Sequence, residues 1–283
     1  MKKYRFSLIV TTQGNREKEF MRFLDSLDSQ IFSNYELIVI DQSENFSATD
    51  HLLCKRHFDI NHYKTGKRIS LSEARNIGLN IAKGDIVAFP DDDCWYPSNL
   101  LLLVDQEFNE KSIDCLCCSP YDPISERYLL KRNATTKYTV IKESNALIYP
   151  ISIGIFAKKI DDIKFNTELG VGAKWGAGEE SDYILQLLYR KKYIIYNKDI
   201  KVYHPYLSDF SFEKIEKYYN YGKGYGALVK IAMGRNQYGV LKEYVITCLR
   251  SIGGTLYYGL RNNKKYRMYF SRLRGMLYGF CKC

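Results

Sequence analysis

The 283-residue sequence lacks any run of roughly eighteen uncharged apolar residues, the length a helix needs to cross a bilayer. Its eight cysteines form no paired CxxC units at zinc spacing, which argues against a structural zinc site and for small reduced core thiols. Histidine is scarce, with four in the chain. Internal repeats and low-complexity tracts are absent, which excludes solenoids and compositional linkers. The opening "MKKYRFSLIVTTQGN" carries the positive start of a signal peptide. Its apolar run is too short and has no small-residue cleavage site, so it reads as a first strand of a cytosolic chain.

What is present is enough for one large α/β core and a smaller appendage, with 46% hydrophobic and 14% aromatic residues. Charge is unevenly spread. From Glu213 onward there are 14 Lys/Arg and 3 Asp/Glu, a net of +11, whereas the first 212 residues are close to neutral. This step predicts a domain at 1–212 and a basic helical extension at 213–283.

Apolar runs "FSLIV" (6–10) and "ELIVI" (36–40) flank an amphipathic segment with Phe20, Phe23, Leu24 and Leu27 at helical spacing. Two buried strands joined by such a helix make a right-handed βαβ unit in a mostly parallel sheet. "INHYKTGK" gives a weak third strand and a turn. In "SLSEARNIGLNIAKG", Ser70 and Glu73 have capping-box spacing. Leu71, Ala74, Ile77 and Ile81 are expected to face the core, with Gly84 closing the helix. "DIVAF" is the next strand, a helix follows Pro97 and Ser98, and "IDCLCCSP" reads as another buried strand. Short strands and loops follow over 112–170, then a Gly-rich loop entering a helix at "GAGEESDYILQLLYRKK", and a closing pair of strands in "YIIYNKDIKVYHP".

Polar residues recur where these strands stop: Thr11 and Thr12, Asp41, and Asp91-Asp92-Asp93. In open parallel sheets the carboxyl ends of the strands form the ligand rim. Three adjacent carboxylates repel one another and need a positive partner. A hard divalent cation accepts such oxygens and can in turn hold a pyrophosphate. In an extended segment Asp91 and Asp93 would face that cation together while Asp92 turns aside. One of them could instead serve as the acidic N-cap of the helix that follows.

Four segments, "FSLIVTTQGN", "ELIVIDQS", "LSEARNIGLNIAKGDIVAFPDDD" and "GEESDYILQL", together resemble glycosyltransferase family 2 over residues 5–210. The resemblance implies a GT-A fold: a Rossmann-like, mostly parallel sheet flanked by helices. Asp91-x-Asp93 looks like its DxD motif, with Asp93 on Mn²⁺ or Mg²⁺ and Asp91 near ribose and metal; Asp92 is counted with the nucleotide site. Thr11, with Thr12 beside it, and Asp41 match positions that contact the nucleotide base of a donor, most often a UDP-sugar. Arg75, or Arg68 upstream, would balance phosphate charge, although Arg75 could equally serve an internal ion pair. His204, in "VYHP", matches a histidine that completes the metal site in many relatives, and a hydrogen-bonded edge histidine is the competing reading. "GEESD" resembles the segment that carries the general base, which maps to Glu180. Glu is uncommon there, so Glu179 and Asp182 stay in play, and an acidic first turn could merely satisfy the helix dipole. Trp175 fits either an acceptor-stacking surface or the core.

The basic, tyrosine-rich end fits helices lying on an anionic membrane surface. Single-stranded nucleic acid or a plain solvated helical face would suit the same composition. "GKGYG" lacks the preceding strand and following Ser/Thr of a phosphate loop. The reading taken is an inverting, metal-dependent glycosyltransferase of bacterial surface polysaccharide. It would be peripheral on the cytoplasmic face of the plasma membrane, act on a glycan or polyprenyl-diphosphate-linked acceptor, and have no nucleic-acid partner. Against it stand a sugar-nucleotide nucleotidyltransferase, poorly served by the one glycine of "TTQGNREKE", and a non-catalytic binding module. Donor sugar, acceptor, linkage and oligomeric state are left open.

Overall fold

The computed structural model describes residues 3–44, 46–54, 56–130, 136–206 and 215–283. The chain forms two compact units. One comprises residues 1–141, 148–164 and 191–206, the other residues 142–147, 165–190 and 207–283. The expected boundary at 212/213 lies outside the described residues.

The first unit is built on β1 (Phe6–Thr12), β2 (Tyr35–Asp41), β3 (Asp59–Lys64), β4 (Ile86–Ala88), β5 (Cys115–Asp122), β6 (Arg127–Tyr128), β7 (Tyr138–Val140), β8 (Ile155–Lys158) and β9 (Ile194–Tyr203). The sheet order is β3-β2-β1-β4-β8-β5-β9-β7, with β6 on β5. β1 to β5 and β9 run in one direction and β6, β7 and β8 run against them, so the sheet is mixed. β8 enters antiparallel between β4 and β5, so the sheet is less uniformly parallel than expected. The predicted closing pair is a single strand, β9, whose register against β5 shifts between Cys118 and Ser119.

Helices α1 (Glu17–Asp28), α2 (Phe46–Leu53), α3 (Leu71–Ile81) and α4 (Leu100–Glu110) belong to this unit. α1 buries Phe20, Phe23, Leu24 and Leu27, the stripe that its 3.6-residue spacing predicts. Cys115, Cys117 and Cys118 are buried free thiols of β5. The capping box at Ser70 and Glu73 forms, but the buried face of α3 is Ser72, Ala74, Arg75, Gly78 and Leu79. Leu71, Ile77 and Ile81 are only half-buried. The small face wins because the backbone at Gly78 comes so close to Ile9 that a methyl group there would clash. Gly84 is likewise needed for close approach, to Ser7 on β1, and α3 ends earlier, at Ala82 in extended conformation.

The second unit holds α5 (Glu179–Tyr189), α6 (Ile215–Gly234), α7 (Val240–Leu260) and α8 (Tyr266–Lys282). α6 and α8 meet through glycines: a methyl at Gly226 would collide with the Met276 carbonyl oxygen, and one at Gly279 with that of Lys223. "GKGYG" is thus a helix-packing face, which matches its rejection as a phosphate loop.

Candidate active site

Because β1, β2, β4, β5 and β9 share one direction, their carboxyl ends, together with Asp91 to Asp93 and His204, lie on one rim. β4 is extended by a single bridge between Thr11 and Asp91, after which the chain turns and Cys94 N–H donates to the Asp91 carbonyl. The aspartates therefore sit in a turn, and the expected extended alternation does not hold. Trp95 and Tyr203 then exchange backbone hydrogen bonds at 2.9 Å, and His204 N–H donates to the Tyr121 carbonyl. These bonds carry His204, 111 residues away in sequence, to within 3.2 Å (Nε2) of Asp93 Oδ1. Asp122 pins the far side of His204 by accepting from Tyr206 N–H and the Ser125 hydroxyl.

Each carboxylate has its own cationic neighbour. The guanidinium of Arg75, fully buried, donates to Asp91 Oδ1 at 3.1 Å. Arg16 Nη1 bridges Asp92 Oδ1 at 3.2 Å and Asp93 Oδ2 at 2.5 Å. Arg22 donates to the Asp93 carbonyl and lies 3.8 Å over the Trp95 ring. Burial pushes the Asp92 carboxyl up to about 6 against the Thr12 hydroxyl and Arg16. For Asp93 burial acts the same way, but His204 and Arg16 overcome it and hold the group below the usual carboxylate range. Burial disfavours the charged His204 ring, yet Asp93 prevails and raises its pKa.

The pair Asp93–His204 fits a divalent cation. His204 Nδ1 faces the Pro205 carbonyl at 2.8 Å, and since a carbonyl only accepts, Nδ1 carries the proton. The charge that Asp93 favours on the ring is a proton on Nε2; in the neutral ring Nε2 offers a lone pair instead, beside the buried Asp93 Oδ1, so a bound cation would take that proton's place. A positive charge belongs between them. Among the described residues no group of three His, Cys, Asp or Glu side chains is placed to hold a metal. Of the expected trio, Asp93 and His204 face each other, while Asp91 Oδ1 meets Arg75.

Other expected contacts are redistributed. Thr11 is half-buried at the rim. The Thr12 hydroxyl serves Asp92 Oδ2 and accepts from Gly14 N–H. Asp41, expected to meet the base, is fully buried, with Oδ1 on Ser43 N–H and Oδ2 on His62 at 2.9 Å. His62 in turn reaches Asp50. Of the two arginines expected to balance phosphate charge, Arg75 is committed to Asp91, while Arg68 is exposed and makes no side-chain ion pair with any described residue. Arg16 and Arg22 were missed because no local motif marks them; they arrive on α1 and the loop before it.

The acidic segment belongs to the second unit. Gly178 adopts φ +96° and opens α5, and its carbonyl accepts from Asp182 N–H. Glu179 is buried and Glu180 half-buried. Asp182 is fully buried, with Oδ1 on Arg235 at 2.6 Å and Oδ2 on Gln186 at 2.8 Å. Both oxygens are thus occupied, one by Arg235 just past the end of α6 and one by Gln186 of α5. Trp175 is a core residue, and its buried indole N–H has no hydrogen-bond acceptor among the described residues.

Residues 7–166 match the family model described as Glycosyl transferase family 2. Glycosyltransferase GlyA of Streptococcus pneumoniae serotype 4 is 32% identical over 90 residues, 31% of this chain and 13% of GlyA, so the match spans a small part of that relative. The crystal structure of S. aureus TarS 1-349 in complex with UDP aligns with a TM-score of 0.59 and 18% identity, over 81% of this chain and 65% of that one. Mannosyltransferase PcManGT from Pyrobaculum calidifontis, in complex with GDP-Man and Mn²⁺, aligns with a TM-score of 0.63 and 16% identity, over 98% of this chain and 87% of that one. At these identities the two structures speak for the fold alone, which is the GT-A arrangement.

Proposed function

The chain belongs to glycosyl transferase family 2, and on that footing we propose that it is an inverting, metal-dependent glycosyltransferase using a UDP-sugar donor. Its acceptor is a glycan or a polyprenyl-diphosphate-linked glycan of a bacterial surface polysaccharide, met at the anionic cytoplasmic face of the plasma membrane. The observation that carries this reading is the facing pair of Asp93 Oδ1 and His204 Nε2 at the carboxyl rim of the sheet. UDP in TarS, and GDP-Man with Mn²⁺ in PcManGT, support the donor class.

Asp93 and His204 would hold the cation, and the imidazole favours Mn²⁺ over Mg²⁺. Bound there, it would offset the charge that builds on the departing diphosphate. Arg16, half-exposed beside Asp93, adds a second positive group for that leaving group. Arg75 holds Asp91 in place. Glu180 accepts the proton of the acceptor hydroxyl as that oxygen attacks the anomeric carbon opposite the leaving group, so one displacement inverts the configuration.

Calorimetric titration of UDP with and without Mn²⁺ tests the reading. Binding is expected to require Mn²⁺ in the wild type and to lose that requirement, with most of its affinity, in Asp93→Asn. Manganese-indifferent UDP binding in both proteins would overturn it.

A further inference from the structure

The helix α7 carries aliphatic residues on the face where a surface helix ordinarily carries charge. Val240, Tyr244, Thr247 and Ser251 form its buried side. On the opposite side Val245, Leu249, Ile252, Leu256 and Leu260 are all exposed, Leu249 and Leu256 at 61% and Leu260 at 90%. Their spacing of 4, 3, 4 and 4 residues gathers them within about 80° of the helix circumference, in a stripe about 22 Å long. Gly253 and Gly259, which flank the stripe, meet no other atoms where a side chain would begin, so none of the described residues covers this side there.

The charges around the stripe are of one sign. Residues 240–283 hold nine Lys/Arg and one acid, Glu243, which is buried. Arg250 lies on α7, and Arg261, Lys264, Lys265 and Arg267 follow directly after Leu260. A second copy of the chain would bring two such positive surfaces together, which disfavours self-association. An anionic lipid surface satisfies both features: aliphatic side chains enter the acyl boundary while arginine and lysine meet headgroup phosphates. Among the described residues no helix is long and apolar enough to span a bilayer, and a helix with one apolar stripe lies in the interface plane.

We propose that the exposed face of α7, Val245, Leu249, Ile252, Leu256 and Leu260, is a membrane-docking surface that inserts into an anionic lipid leaflet. This deepens the proposed lipid-surface acceptor and rests on that reading only for its purpose, since docking needs neither donor nor metal. The test is co-sedimentation of the full chain with vesicles of equal parts phosphatidylcholine and phosphatidylglycerol. Both substituted leucines in Leu249→Gln/Leu256→Gln are exposed, so the fold is expected to hold, checked by circular dichroism and by UDP binding. The double variant is expected to lower the partition coefficient about 100-fold, from two leucine burials forgone. Pure phosphatidylcholine should bind the wild type more weakly. Unchanged partition of the double variant would overturn the proposal. So would a lipid-free dimer, seen by sedimentation equilibrium, that the same substitutions abolish. A chain that docks on vesicles without binding UDP would retain this inference and lose the transferase reading.

Discussion

Asp91, Asp92 and Asp93 are tolerated at the edge of a core because Arg75, Arg16 and His204 stand against them one by one. The carboxylates that lack solvent lean on these neighbours, and Asp92, the most desolvated, is also the one whose ionisation burial most disfavours. A quieter residue sets the geometry. Asp122 accepts from the Ser125 hydroxyl and from the backbone N–H groups of Tyr206 and Ile124, which outweigh its desolvation and hold its carboxyl down to about 2. A carboxyl depressed in the folded state stabilises the fold above its ordinary pKa and loses that contribution as pH falls. Asp122→Asn should therefore destabilise the fold at pH 7, by about 1 kcal/mol once solvent screening is allowed for. The gap to wild type, read from urea midpoints, should narrow as pH drops from about 4 towards 2. A gap independent of pH would show that Asp122 acts through shape alone. None of this was visible locally: the aspartate run could be read, but the identity of its cations depends on chain segments up to about a hundred residues away.

Helices α6 and α8 are joined by glycine faces, Gly222 and Gly226 on one and Gly275 and Gly279 on the other, each with a carbonyl of the opposite helix where a methyl would stand. An alanine normally favours a helix by about 1 kcal/mol over glycine. At Gly253, where nothing lies within 4 Å, Gly253→Ala should give about that gain. At Gly226 the same change must push two backbones apart, and overpacking of this kind costs up to about 3 kcal/mol or more. Thermal unfolding of the two variants should thus move in opposite directions; two equal shifts would refute close glycine contact. The amphipathic period located α1 and its face correctly. It misjudged α3, where a buried arginine and a glycine replaced the aliphatic face, because periodicity counts hydrophobicity and not the distance between backbones.

Asp93 and His204 belong to one compact unit and Glu180 to the other. The proposed division of labour predicts separable losses. Glu180→Gln should keep donor binding and reduce turnover by about 10²–10⁴, whereas Asp93→Asn removes manganese-dependent binding itself. Turnover near wild type in Glu180→Gln would shift the role to Glu179. From sequence alone came the strand ends, the acidic run, the α5 segment and the basic end, since hydrophobic period, capping chemistry and charge are local properties. Only the tertiary structure decided that Asp91 meets Arg75, that Asp182 pairs with Arg235, that Arg16 guards Asp93, and that α7 bears an uncovered aliphatic stripe. Those are facts of pairing and exposure, set by which distant segments the sheet and helix packing bring within a few ångströms, and no local pattern encodes them.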